Sequence, residues 1–316
     1  MKAILFISSL LLHCATAFGQ SVVVETTDVN NFWIAFDSLK AETDVNRHEQ
    51  IIRRHYFEKA TPGLSEFIKL RAWTPHRFVE TIAKHPTFWQ TVRHKTLGVN
   101  NNLPQIRQLF KQYKKIYKNF APPEIYFVMG YIETGGTTTQ KQVLIGTEIA
   151  AADSTVNTEG LHPLVQSFIS SNKGAFSIVA HELTHTQQKG GDLGGKRNTN
   201  LLGLCLAEGS CEFIAELLLK QNIDRPYMAY GKVHEKELWD KFKGEMHEKN
   251  TADWLYNGGY KKEGDADLGY YIGYTICKAY YEQARNKKKA IRQIIELEYE
   301  NTAMLDSFLK KSRLLL

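Results

Sequence analysis

Glu208 and Glu212 stand four residues apart in a stretch that is otherwise almost wholly apolar, with Leu204, Leu206, Phe213, Ile214, Leu217 and Leu218 around them. On a helix that spacing sets both acids on one face. A helix apolar on every side belongs inside a protein, and an ionised carboxylate carried there without a partner is costly. A solvated acidic face is the competing reading, and the apolar neighbours argue against it. The segment therefore predicts a buried helix over residues 202–220, and its two acids require a cation opposite them.

Upstream, Ile178-Val179-Ala180-His181-Glu182-Leu183-Thr184-His185 contains the pattern H-E-x-x-H after an apolar lead-in. On a helix His181 and His185 project from one face about one turn apart, so each can turn a ring nitrogen toward a single metal ion. Surface histidines on an amphipathic helix are the alternative; the apolar approach and the acids downstream count against them. A catalytic zinc site takes three protein ligands and keeps one position open. The expected set is His181, His185 and Glu208, with Glu212 accepting a ring N–H from one histidine and so fixing its tautomer. Two imidazoles and one carboxylate suit Zn2+ better than the hard cations, which prefer cages of oxygen. Glu182 can lean over the open position and take a proton from a metal-bound water. Further on, Asp267-Leu268-Gly269-Tyr270-Tyr271-Ile272-Gly273-Tyr274 offers a phenol for the charge that amide hydrolysis builds on a carbonyl oxygen. Tyr270 is the first choice, Tyr271 and Tyr274 are alternates, and core packing is the competing role.

The rest of the 316 residues reads as a helical scaffold. Apolar residues recur at three- and four-residue spacing from Asn31 to about Thr96, with breaks at Pro62, Pro75 and Pro86. Pro104 opens an amphipathic helix with Ile106, Leu109, Phe110, Tyr113 and Ile116 on its apolar stripe. The clear strand signals are 124–129 and 142–149, joined through Gly135-Gly136, which predicts a hairpin or two neighbouring strands. Helices follow over 164–170, 175–188, 202–220, 233–247, 268–285 and 289–298. With no repeat or linker, residues 20–316 are expected to form one α+β domain, predominantly helical. A net charge of +6 is too mild for a nucleic-acid surface.

Residues 1–19 read as a secretory signal: Lys2, an apolar stretch over Ala3–Leu12, then Ala15, Ala17 and Gly19. No later stretch is apolar enough for a membrane span, so the mature chain is expected to be soluble, periplasmic or secreted. A lipid anchor at Cys14 is the weaker reading, because His13 stands where a small residue is expected. Removing the signal leaves Cys205, Cys211 and Cys277, read as small buried hydrophobes with one bridge to Cys277 still open.

His181-Glu182-Leu183-Thr184-His185 followed by Glu208-Gly209-Ser210-Cys211-Glu212 resembles the gluzincin metallopeptidases, and Tyr270-Tyr271-Ile272-Gly273 resembles the Y-x-x-G segment of their aminopeptidase branch. More closely, the chain is similar to an exported bacterial family of predicted zinc-dependent proteases related to the gliding-motility-associated lipoproteins. The segments Gly63–Arg71, Gly135–Thr139, Leu144–Ile149, Trp254–Asn257 and Asp267–Tyr274 carry that likeness. Gln187 departs from it, standing where many zinc peptidases have an apolar residue, and no exopeptidase motif is evident. The resemblance implies a zincin (gluzincin-like) fold with a small sheet, an active-site helix and an edge strand along the cleft. Gly135–Thr139 is a candidate for that edge, with a plain hairpin turn the simpler reading. It implies a zinc-dependent peptidase acting on a peptide or protein substrate. A zinc-binding envelope or motility scaffold without turnover is the reading from a different class.

Overall fold

The computed structural model describes residues 23–172, 174–189, 198–258, 261 and 265–314. The signal segment and Cys14 lie outside the described residues. In chain order the elements begin with β1 (Val24–Glu25), α1 (Thr27–Ala41), α2 (His48–His55), α3 (Pro62–Arg71), α4 (Pro75–Lys84), α5 (Pro86–Leu97) and α6 (Leu103–Ile116). Proline opens α3, α4 and α5, the position where its missing N–H costs nothing. Next come β2 (Glu124–Val128), β3 (Gly136–Thr138), β4 (Gln142–Gly146), α7 (Thr147–Ala150), α8 (Pro163–Ser171) and α9 (Ala175–His185). The chain then continues through α10 (Leu201–Leu219), α11 (Pro226–Val233), α12 (Glu235–Glu245), α13 (Leu268–Gln283), α14 (Lys287–Ile295) and α15 (Thr302–Ser312).

The strands form one sheet in the order β1-β2-β4-β3. β2 is parallel to β1 and to β4, with Ile125 opposite Val143 and Phe127 opposite Ile145. β3 returns antiparallel along β4, pairing Thr137 with Leu144, and ends the sheet. The pairing of β2 with β4 is therefore that of parallel neighbours, and the hairpin alternative is excluded. Its cause is visible in burial. β2 and β4 are buried at every position after the first, because α1 and α3 pack on β2 while α9 crosses β3 and β4. Gly136 opens the edge strand itself, so the plain-turn reading of 135–139 is corrected.

Other boundaries moved as well. The expected helix over 233–247 is α12, Glu235–Glu245, and a separate helix that carried no expectation, α11, ends at Val233 just before it. α9 stops at His185 instead of running to residue 188, while α15 and β1 carried no expectation at all. The apolar core is one continuous cluster from Val29 to Leu309. Cys205, Cys211 and Cys277 are buried and unbridged.

α10 is the axis of the C-terminal half, buried along nearly its whole length and packed against both α9 and α13. Its approach to α13 is closer than side chains allow. A methyl group on Gly273 would sit 1.7 Å from the Cys205 carbonyl oxygen, and one on Gly209 would sit 2.0 Å from the Tyr274 nitrogen. The two backbones touch there, which only glycine permits.

The loop from β2 to β3 is held by another buried acid. Glu148 is fully buried and accepts the N–H groups of Gly130 at 2.8 Å and Ile132 at 3.1 Å. Burial pushes its carboxyl up to about 7 against the pull of these donors.

Two outcomes follow from these contacts. Gly273→Ala should lower the unfolding free energy by more than about 3 kcal/mol, at or beyond the upper end of ordinary overpacking, because the obstacle is backbone; chemical denaturation measures it. For Glu148, a folded pKa above the unfolded one means that the native state holds the proton more tightly, so stability is full below about pH 4.5 and falls as pH rises through about 7. The stability of wild type minus that of Glu148→Gln should decline across this window, and a flat difference would contradict the assignment.

Candidate metal centre

The apolar lead-in of α9 buries Ile178, Val179 and Ala180, and this anchors the next turn of the helix against α10. Both histidines then face the two acids. His181 Nε2 lies 3.4 Å and His185 Nε2 3.2 Å from the same oxygen, Glu208 Oε2. Each ring turns its other nitrogen outward, His181 Nδ1 to Glu212 Oε1 at 3.1 Å and His185 Nδ1 to Gln188 Oε1 at 3.2 Å. The Gln188 amide nitrogen donates to Ala207 O at 2.7 Å and to Ser210 Oγ at 2.9 Å, so its oxygen is the atom left for the imidazole. An Nδ1–H on His185 then leaves its Nε2 lone pair facing Glu208.

Donors about 2.0–2.1 Å from a tetrahedral zinc ion lie about 3.3 Å from one another. The separations from Glu208 Oε2 to the two Nε2 atoms match that spacing. His181 Nδ1 is also a buried nitrogen without an aligned hydrogen bond, despite its nearness to Glu212. The residues present therefore fit a metal ion with His181, His185 and Glu208 as its nearest atoms. Cys211 is a further donor: its sulfur and one nitrogen of each histidine lie within 4.8 Å of one another. The sulfur already sits 3.3 Å from Ala207 O and 3.4 Å from Gln188 Nε2, on the same side as the outward Nδ1 of His185.

Charge follows the same geometry. Burial works against the protonated form of both histidines, yet the Cys211 sulfur and Glu208, joined at His181 by Glu212, outweigh it and hold both well above the ordinary imidazole value. Burial likewise raises both carboxyls; His185 and His181 reverse this at Glu208, and His181 with the Arg225 charge reverses it at Glu212, so both lie below the usual range. Two phenols complete the acids' partners: Tyr256 donates to Glu208 Oε1 at 2.6 Å, and Tyr227 donates to Glu212 Oε1 at 2.7 Å.

Glu182 lies on the open side. It lines a cleft with His181, Tyr256, Tyr270, Thr134 and Gly136, continuous across two lobes. A methyl group on Gly136 would come within 3.0 Å of Glu182 Oε1, so glycine at the sheet edge leaves room for this carboxylate. Tyr270 faces the same cleft, its ring 6.1 Å from that of His181 and stacked on Tyr227 at 5.3 Å. The alternates point elsewhere. Tyr274 donates to Glu216, and Tyr271 packs against Gly231 near Glu235.

Sequence reasoning missed Gln188, Tyr227 and Tyr256. Gln188 falls beyond the last helical turn, and the two tyrosines carry no spacing signal toward the H-E-x-x-H helix. The departure at Gln187 has a local cause, since its amide forms both hydrogen bonds to the backbone of Ala121 at 2.9 Å.

No curated protein and no solved structure was found to match the chain. No helix among the described residues is long and apolar enough to cross a membrane. A family model, that of the lipoproteins described as gliding motility protein GldB, matches residues 21–307. The expected relation to the motility lipoproteins is the part of the resemblance that this match supports, and it turns the weighing of Cys14 toward the lipid anchor. With the match running through the sheet, the cluster of His181, His185, Glu208 and Glu212 and the helices behind it, the chain belongs to the gliding motility protein GldB family.

Proposed function

We propose that the protein is an exported zinc-dependent peptidase of the cell envelope, tethered through Cys14 and acting on a peptide or protein substrate. The observation that carries this reading is Glu182. It stands beside the His181–His185–Glu208 cluster, on the cleft side, where a purely structural site has no use for a base. A divalent metal held there supplies Lewis acidity and lowers the pKa of water into the neutral range. In this reading Glu182 accepts the proton of an attacking water and returns it to the leaving amine. Tyr270 brings a phenol to the cleft for the negative charge on the scissile carbonyl oxygen. Burial holds its pKa well above 10, so it stays a donor at neutral pH. β3 is the last strand of the sheet among the described residues, and an extended peptide can lie along its outer side.

Family membership favours a second reading, in which the centre binds zinc within a motility scaffold and cleaves nothing. The two readings separate on Glu182.

Metal analysis of the purified chain should find about one zinc per molecule. Glu208→Ala should lose it, whereas Glu212→Ala and Gln188→Leu should weaken affinity by ~10–100-fold. Cys211→Ser should keep its metal; loss there with retention in Glu208→Ala would make the sulfur the third ligand. Incubated with a mixed peptide library, zinc-loaded wild type should cleave, and Glu182→Gln should hold zinc and not cleave. Tyr270→Phe should lower kcat on the order of 10²–10³-fold with KM little changed. Metal in wild type, Glu182→Gln and Tyr270→Phe, with cleavage in none of them, establishes the scaffold.

A further inference from the structure

The lobe of the cleft on the Tyr227 side has a volume of about 460 Å³, room for one or two residues of a peptide. Ile149, Leu164, Val165, Phe168 and Ile178 make its walls mainly apolar, and Glu182 and Tyr270 stand at its inner end. Arg225 lines this lobe and is absent from the lining of the lobe that holds His185 and Glu208. It is an unusual arginine. Its guanidinium lies 4.7 Å from the centre of the Phe168 ring, its Nη1 is buried, and that nitrogen has no hydrogen-bond partner. Guanidinium groups held against apolar walls ordinarily have a carboxylate in a forked pair. The carboxylate nearest in charge terms, Glu212, is engaged by His181 and Tyr227 and makes no ion pair with Arg225. A cation stacked on an aromatic ring, half sheltered from water and in no ion pair among the described residues, is suited to receive an anion brought from outside.

Resting on the peptidase reading, we propose that Arg225 is a specificity determinant that receives a carboxylate of the bound peptide, one or two residues from the scissile bond. That carboxylate belongs either to the chain terminus or to an acidic side chain, with the apolar remainder of the residue against Phe168 and Leu164.

The test is a binding measurement that needs no turnover. Three thiol probes are titrated calorimetrically into the zinc-loaded mature chain, with zinc content measured on the same sample: mercaptoacetyl-phenylalanine, its carboxamide, and mercaptoacetyl-glutamic acid α-amide. The thiol takes the metal in all three, so the carboxamide reports on the centre alone. At least one carboxylate probe should bind about 10–100-fold more tightly than the carboxamide, the scale of a charge-assisted forked contact. Arg225→Met should abolish that increment and leave the carboxamide's affinity within about threefold, while Arg225→Lys keeps part of it. An increment for the phenylalanine acid alone assigns the lobe to a chain terminus, and one for the glutamate probe alone to an acidic side chain. Equal affinity for acids and carboxamide in wild type, or an increment that survives Arg225→Met, overturns the assignment while leaving the zinc centre standing. A wild type that takes up no zinc overturns the peptidase reading and this inference together.

Discussion

Where α10 meets α13 the backbones touch at Gly209 and Gly273, and the candidate centre depends on that contact. Glu208 immediately precedes the first glycine, and Tyr270 lies about one helical turn before the second. A contact between backbones fixes relative position more tightly than interlocking side chains, because it has no rotamers to exchange. The phenol and the carboxylate are thereby placed relative to one another by glycines that belong to neither function. The histidines join them through α9, which is seated by its buried lead-in of Ile178, Val179 and Ala180.

Much of the centre was legible in the sequence because its requirements are local. Two residues four apart on a helix share a face whatever the rest of the chain does, and this was enough to pair His181 with His185 and Glu208 with Glu212. That the two helices face each other is tertiary, yet buried charge of opposite sign made it nearly obligatory. What stayed hidden was whatever depends on non-local backbone. The parallel pairing of β2 with β4 leaves no alternation to read, since both faces are covered. Gln188 and Tyr256 reach the metal-facing side chains from irregular segments, where spacing carries no information about direction. Arg225 stands at a helix start with nothing around it in sequence to set it apart from the other basic residues.

The electrostatics of the centre follow from that facing arrangement. Each carboxylate is held low and each histidine high, so protons shared across the His–Glu contacts supply the positive charge that the buried acids demand. A metal ion would take the place of those protons, and its binding would release them. The acids thus serve two masters with one geometry. They hold the helix pair together in the protonated state, and Glu208 Oε2 lies from the two Nε2 atoms at the spacing of donors around a tetrahedral ion.

Backbone strain tells the walls of the cleft apart from the ligand-bearing helices. Six non-glycine residues among those described have positive φ, and three of them, Ala72, Lys220 and Arg313, are left-handed caps at the ends of α3, α10 and α15. Such caps satisfy helix carbonyls and need no further explanation. The other three are Ile132, Tyr256 and Asp267. Ile132 lies on the loop feeding the edge strand, held by Glu148, while Tyr256 and Asp267 line the cleft itself. For a β-branched residue at φ 66° the conformation is a genuine outlier, and strain of this kind costs about 1–3 kcal/mol per residue. His181, His185 and Glu208 sit on regular helices and store none of it. The strain lies instead in the cleft wall, at Tyr256 and Asp267, and in the loop feeding the edge strand, at Ile132, so it falls outside the two helices that carry the His–Glu cluster.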